Sequence, residues 1–147
     1  MVPRRSTEDG GVGSPVTGIS HVDLSVRDCE VSARWYAETL GFEIRSRKVN
    51  QRFGFPWIHL ALSEAGISIA VLEHPQNPGE LFSEFRCGLD HLSFAVRDRE
   101  ALEALARRLR ARGHPDAAIV DSDDVAVLVL RDPDNIQIEL CSGLTSA

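Results

Sequence analysis

Moved along itself by 70 residues, the chain matches its own beginning: ISHVDLSVRDCE at 19–30 falls on LDHLSFAVRDRE at 89–100. His21 meets His91, Val26 meets Val96, Arg27-Asp28 meets Arg97-Asp98, and Glu30 meets Glu100. The segments after the two copies also repeat in kind, so an internal duplication accounts for the match better than chance. In each copy, alternation up to the valine reads as a strand. Asp28 and Asp98 then offer helix N-caps. The first helix carries Val31, Trp35 and Leu40 towards one side and stops at Gly41; the second carries Leu102, Leu105 and Leu109 and stops at Gly113. Three strand candidates come after each helix, at 43–49, 56–62 and 67–73 and at 117–120, 125–131 and 136–141. Pro133-Asp134-Asn135 reads as the turn before the last of them.

Each half is therefore a βαβββ unit. The expected fold class is α+β: two paired βαβββ modules forming a curved mixed sheet around a cleft, with the helices outside. The expected organisation is a disordered tail over 1–16, one domain over 17–142 and a C-terminal tail over 143–147. Within the domain, module one runs over 17–75, a linker over 76–88 and module two over 89–142. The linker could serve as a lid, though a plain connection is the simpler expectation.

Alternation also says what lines the cleft. Val22, Leu24 and Val26 share one face of the first strand; His21, Asp23 and Ser25 share the other. Leu92, Phe94 and Val96 oppose His91, Ser93 and Ala95 in the second copy. The apolar faces pack under the helices, and the histidine faces look into the cleft. In the last strand Ile136, Ile138 and Leu140 form the core face, opposite Gln137, Glu139 and Cys141. A carboxylate between two core residues needs a partner where it is buried, and a cation held by two imidazoles supplies one. His21, His91 and Glu139 are thus the candidate metal ligands. The repeat overlays Glu139 on Ala70, so a fourth, symmetric ligand is missing. Two histidines and one carboxylate with open positions suit substrates that bind the metal directly, notably on non-haem iron(II).

Composition narrows the function. The 147 residues, 43% hydrophobic and 26% charged, suit one globular domain. The net charge of -6 disfavours nucleic acid and anionic membranes as partners. Arg45, Arg47, Lys48 and Arg52 cluster on what reads as a solvated strand face. No apolar run approaches the ~20 residues of a membrane span, and no secretory signal is expected. Three cysteines without CxxC spacing suit a reducing cytoplasm.

At GISHVDLSVRD, WYAETLGFEI, GLDHLSFAVRD and DPDNIQIEL the chain resembles the vicinal oxygen chelate superfamily, also called the glyoxalase/bleomycin resistance/dioxygenase family, over about residues 17–142. The resemblance implies paired βαβββ modules and a divalent metal on His21, His91 and Glu139. It implies Fe2+ or Mn2+ first, with Ni2+, Co2+ or Zn2+ as alternatives. It further implies a small-molecule substrate chelating through adjacent oxygens, dioxygenase-like or glyoxalase/isomerase-like (lyase) chemistry, and a homodimer. Some relatives share metal ligands between chains. The chain departs from relatives that carry Glu, Gln or His near Ala70, and from dioxygenases with a Tyr shortly before the Glu. His59 or His74 would then serve as acid-base groups. Phe55 and Trp57, with Phe53, are candidates for the pocket wall, beside Ala70 and Cys141. The competing expectation is a non-catalytic binder of the antibiotic-sequestering type.

Overall fold

A computed structural model describes residues 14–143. Of the two expected tails, only 14–16 and Gly143 fall within these residues. Strand β1 (Val22–Ser25) leads into helix α1 (Cys29–Trp35), which continues as a π-helical turn (Tyr36–Leu40). Strands β2 (Glu43–Val49), β3 (Pro56–Leu62) and β4 (Ile67–Leu72) complete the first half. The second half repeats the order: β5 (Leu92–Ala95), α2 (Arg99–Ala111), β6 (Ile119–Ser122), β7 (Val125–Arg131) and β8 (Gln137–Ser142). The α+β class and the paired βαβββ units are as expected. The strands form two four-stranded mixed sheets, in the orders β1-β4-β3-β2 and β5-β8-β7-β6. In each, the first strand runs parallel to the last, and the other pairs are antiparallel.

Local chemistry explains the boundaries. The Asp28 carboxylate accepts the N–H groups of Glu30 and Val31, and that of Asp98 accepts from Ala101, so both helices begin where the repeat places them. Gly41 closes the π-helical turn in the left-handed region, at φ 83°. Strand β6 starts two residues later than its alternation suggests, because Ala117 is drawn into a turn by donating its N–H to the His114 carbonyl.

One face assignment needs correction. The first helix does not bury a Val31, Trp35, Leu40 stripe. Val31 is 46% exposed, while Cys29, Ser32, Ala33 and Tyr36 are buried. The reason lies about 100 residues further along the chain. The Ser32 hydroxyl donates to Asp134 Oδ2 at 3.1 Å and the Tyr36 hydroxyl to Asp132 Oδ2 at 3.0 Å, both buried. Arg27 joins them, donating its backbone N–H and its Nε to Asp134 Oδ1 at 3.0 and 2.8 Å. These bonds rotate the helix so that its hydroxyls face the second half. Trp35 and Leu40 are left half-buried at the margin of the core.

The same two aspartates shape the turn before β8. Asp132 Oδ1 accepts the backbone N–H groups of Asp134 and Ile136 at 2.9 and 2.8 Å. Burial raises the Asp132 carboxyl above its ordinary range, against the bonds from Ile136, Tyr36 and Asp134. The two halves also share one apolar core, with Phe42 and Phe94 meeting edge-on at 5.7 Å. Tyr36→Phe should cost about 1 kcal/mol in chemical denaturation. Asp134→Ala strands the Arg27 and Ser32 donors and should cost about 3 kcal/mol. Equal, near-zero losses would show that this latch does not hold the halves together.

Candidate metal centre

Strands β5 and β8 lie side by side with Ser93 level with Glu139. His91 stands immediately before β5, and its Nε2 comes to 3.4 Å from Glu139 Oε2. Two donors bound to one ion at about 2.0–2.2 Å in a tetrahedral arrangement sit roughly 3.3–3.6 Å from each other. The pair is therefore close to the spacing of two ligands of a four-coordinate ion, and it is also within direct imidazole–carboxylate contact. His91 Nδ1 lies 2.6 Å from Asp90 Oδ1. An ionised carboxylate only accepts, so Nδ1 carries the proton and donates it, which leaves Nε2 to bind. Glu139 is mostly buried, with 18% of its side chain exposed. Gln137 Nε2 donates to its Oε1 at 3.2 Å, leaving Oε2 turned to the histidine. Gln137 is in turn held by Arg131, which also pairs with Glu84.

The hydrogen bond to Asp90 raises the His91 pKa above the ordinary 6.5, and the Glu139 charge adds to this against partial burial. Folding thus favours uptake of the ring's second proton, on Nε2 beside Glu139, relative to the unfolded chain. That contribution to stability is complete below about pH 6.5 and is lost as pH rises through the raised value.

His21 belongs to the other sheet. Its Nδ1 lies 3.0 Å from Ser20 Oγ and its Nε2 3.9 Å from Asp23 Oδ1, with 59% of the side chain exposed. It lines a cleft of about 300 Å³ with Asp23, Trp57, His59, Ser68 and Ala70. In both halves, then, the residue before the histidine engages Nδ1 and leaves Nε2 free of it. Among the described residues, no three His, Cys, Asp or Glu side chains of one chain converge to hold a metal. The structure brings His91 and Glu139 together, and His21, which also lines a cleft with Leu92 and Ser93, does not complete a group of three with them.

The remaining candidates divide between clefts. His59 Nε2 lies 2.8 Å from Ser68 Oγ, on the same face as His21, with Ala70 as its register partner. Trp57 shares this cleft, and Lys48 Nζ sits 5.3 Å from its ring centre. Phe55 is buried, stacked on Phe53 at 6.4 Å and against His74 at 4.2 Å. Phe55 and His74 line a different cleft of about 310 Å³ with Arg27 and Glu73. His74 also borders a cleft of about 580 Å³, formed with the segment that joins the halves. Cys141 is buried beside the histidine–glutamate pair, 3.2 Å from Ser93 Oγ and 4.0 Å from Glu139 Oε2. Sequence reasoning missed Ser20, Asp90 and Ser68 as site residues, and gave Asp23 only a place on the histidine face. A polar residue before each repeated histidine was the available signal for the first two.

The sequence profile of the Glyoxalase/Bleomycin resistance protein/Dioxygenase superfamily matches residues 18–140. The chain belongs to this superfamily. A glyoxylase/bleomycin resistance protein/dioxygenase domain from Frankia sp. EAN1pec is 36% identical. That match covers 90% of this chain and 96% of the Frankia domain, with a TM-score of 0.76. Lactoylglutathione lyase from Agrobacterium tumefaciens shares the fold at 16% identity and TM-score 0.67, covering 88% and 96% of the two chains. The fosfomycin resistance protein FosX from Listeria monocytogenes, solved with Mn(II) and sulfate, does so at 20% identity and TM-score 0.63, covering 87% and 93%. No curated protein matches the chain. Among the described residues no helix is long and apolar enough to cross a membrane.

For this superfamily member, NMR titration of metal-free protein should give His91 a midpoint above 6.5. Asp90→Asn should lower it; an unmoved midpoint would show that the Asp90 contact does not orient the ring.

Proposed function

We propose that this chain is a metal-dependent enzyme of the vicinal oxygen chelate type. It acts on a small molecule that presents two adjacent oxygens, in oxygenation or in isomerase/lyase chemistry. Its protein ligands are His21, His91 and Glu139. The observation that carries this reading is the 3.4 Å spacing of His91 Nε2 and Glu139 Oε2, with His91 locked by Asp90 in the tautomer a metal requires. Two imidazoles and one carboxylate favour Fe2+ or Mn2+. FosX, of the same fold, was solved with Mn(II). When bound, the metal supplies a Lewis acid for substrate oxygens.

The chain's own residues prepare that site. Asp90 and Ser20 orient the imidazoles, and Gln137 turns the glutamate. Ala70 adds no donor, which leaves room for substrate oxygens beside the ligands. Trp57 gives the cleft an aromatic wall.

Among the described residues His21 does not complete a metal-holding group with His91 and Glu139 in one chain, so the reading includes a homodimer. His21 of one copy meets His91 and Glu139 of a second, making two equivalent sites about a twofold axis. Protein purified without chelators should bind about one Mn2+ or Fe2+ per chain by calorimetry and metal analysis. His91→Ala and Glu139→Ala should weaken binding more than the ~10–100-fold that loss of an outer partner such as Asp90 costs. A 1:1 mixture of His21→Ala and His91→Ala chains, unfolded and refolded together, should recover about a quarter of the sites, one in each mixed dimer. No recovery would place all three ligands within one chain. No metal binding by the unaltered protein would overturn the enzymatic reading and leave a small-molecule binder.

A further inference from the structure

The two halves differ at a pair of facing positions. In the second sheet Glu139 on β8 is the register partner of Val129 on β7. In the first sheet the same two places hold Ala70 on β4 and His59 on β3. The half that lacks the carboxylate therefore carries an imidazole on the neighbouring strand, where the other half carries valine. Facing residues of an antiparallel pair project from the same side with Cβ atoms about 4.5–5.5 Å apart. An imidazole from 59 and a carboxylate from 70 can thus reach the same region above the sheet.

The direction of the ring supports this. His59 is half-buried and shares its cleft with His21, Asp23, Trp57, Ser68 and Ala70. Its Nε2 points to Ser68 Oγ at 2.8 Å. Strands β1 and β4 pair Val22 with Ile69, so Ser68 stands level with His21, one residue earlier on each strand. The ring leans towards the His21 side of the space that the small Ala70 side chain leaves open. Its present partner there is a single neutral hydroxyl, which can be exchanged for a metal bond.

We propose that His59 is a fourth protein donor to the divalent ion, supplied from β3 in place of the carboxylate that position 70 lacks. This rests on the metal reading above and gives a three-histidine, one-carboxylate set. His21 and His59 share one sheet, and His91 and Glu139 come from a second copy, because among the described residues no three such side chains of one chain converge.

Co(II) is the probe, since its visible absorption reports coordination independently of turnover. His59→Ala should lower Co(II) affinity by about 10-fold or more and alter the visible spectrum. Adding Ala70→Glu to the His59→Ala chain should restore affinity, because the carboxylate enters the same region from the neighbouring strand. An unchanged affinity and spectrum in His59→Ala, with binding still lost in His91→Ala, would overturn the proposal and leave the proposed function standing. A loss that Ala70→Glu does not restore would also overturn it, because residue 59 would then act through the fold. Binding indifferent to His59, His91 and Glu139 alike would remove both readings.

Discussion

The structure depends first on two buried carboxylates in the turn before the last strand. Asp132 and Asp134 are 6% and 4% exposed, and isolated charges at that depth would be costly. They are tolerated because each is surrounded by donors: backbone N–H groups of the turn itself, the Tyr36 and Ser32 hydroxyls, and Arg27. Arg27, Ser32 and Tyr36 come from the β1–α1 segment of the first half, and the turn belongs to the second. The network therefore joins the halves and fixes how β8 leaves the turn. Because β8 carries Glu139 seven residues after Asp132, the placement of the candidate ligand follows from this contact and from the core between Ile138 and Leu140.

Much of this architecture is legible in the chain, and the reason is periodicity. A strand with one buried face must alternate, and a repeat must present the same alternation twice. The strands at 43–49, 56–62 and 125–131 accordingly coincide with β2, β3 and β7. Both aspartate caps coincide as well, since capping is decided within one turn of helix. The face of α1 was not legible. Its buried positions include Ser32 and Tyr36, whose burial depends on acceptors about 100 residues away, and no local period records such a partner.

The candidate site divides along the same line. Pairing of His91 with Glu139 follows from the parallel alignment of β5 with β8, a relation inside one half that alternation alone does not give. The position of His21 relative to that pair depends on how two sheets are set against each other, within a chain or between chains. That is a property of surfaces, outside the reach of alternation. His59 marks the boundary between the two cases. Its face is given by WIHLAL, but its register with Ala70 appears only once β3 and β4 are paired.

Duplication gives two similar sheets, and in this chain they differ where Glu139 overlays Ala70. Were both halves to keep a carboxylate on the last strand, a divalent ion held there would be fully neutralised. On the proposed reading, alanine at 70 leaves one carboxylate charge against the two positive charges of a divalent ion, which would keep a net attraction for an anionic oxygen. Neutral imidazoles add donors without adding charge. The same asymmetry divides the polar groups: Glu139 and Asp90 flank His91 in the second half, while His59, Ser68 and Trp57 line the first half's cleft with polar groups and an aromatic surface. On the proposed reading, a substrate bearing neighbouring oxygens on an apolar frame would match that division, with its frame against Trp57.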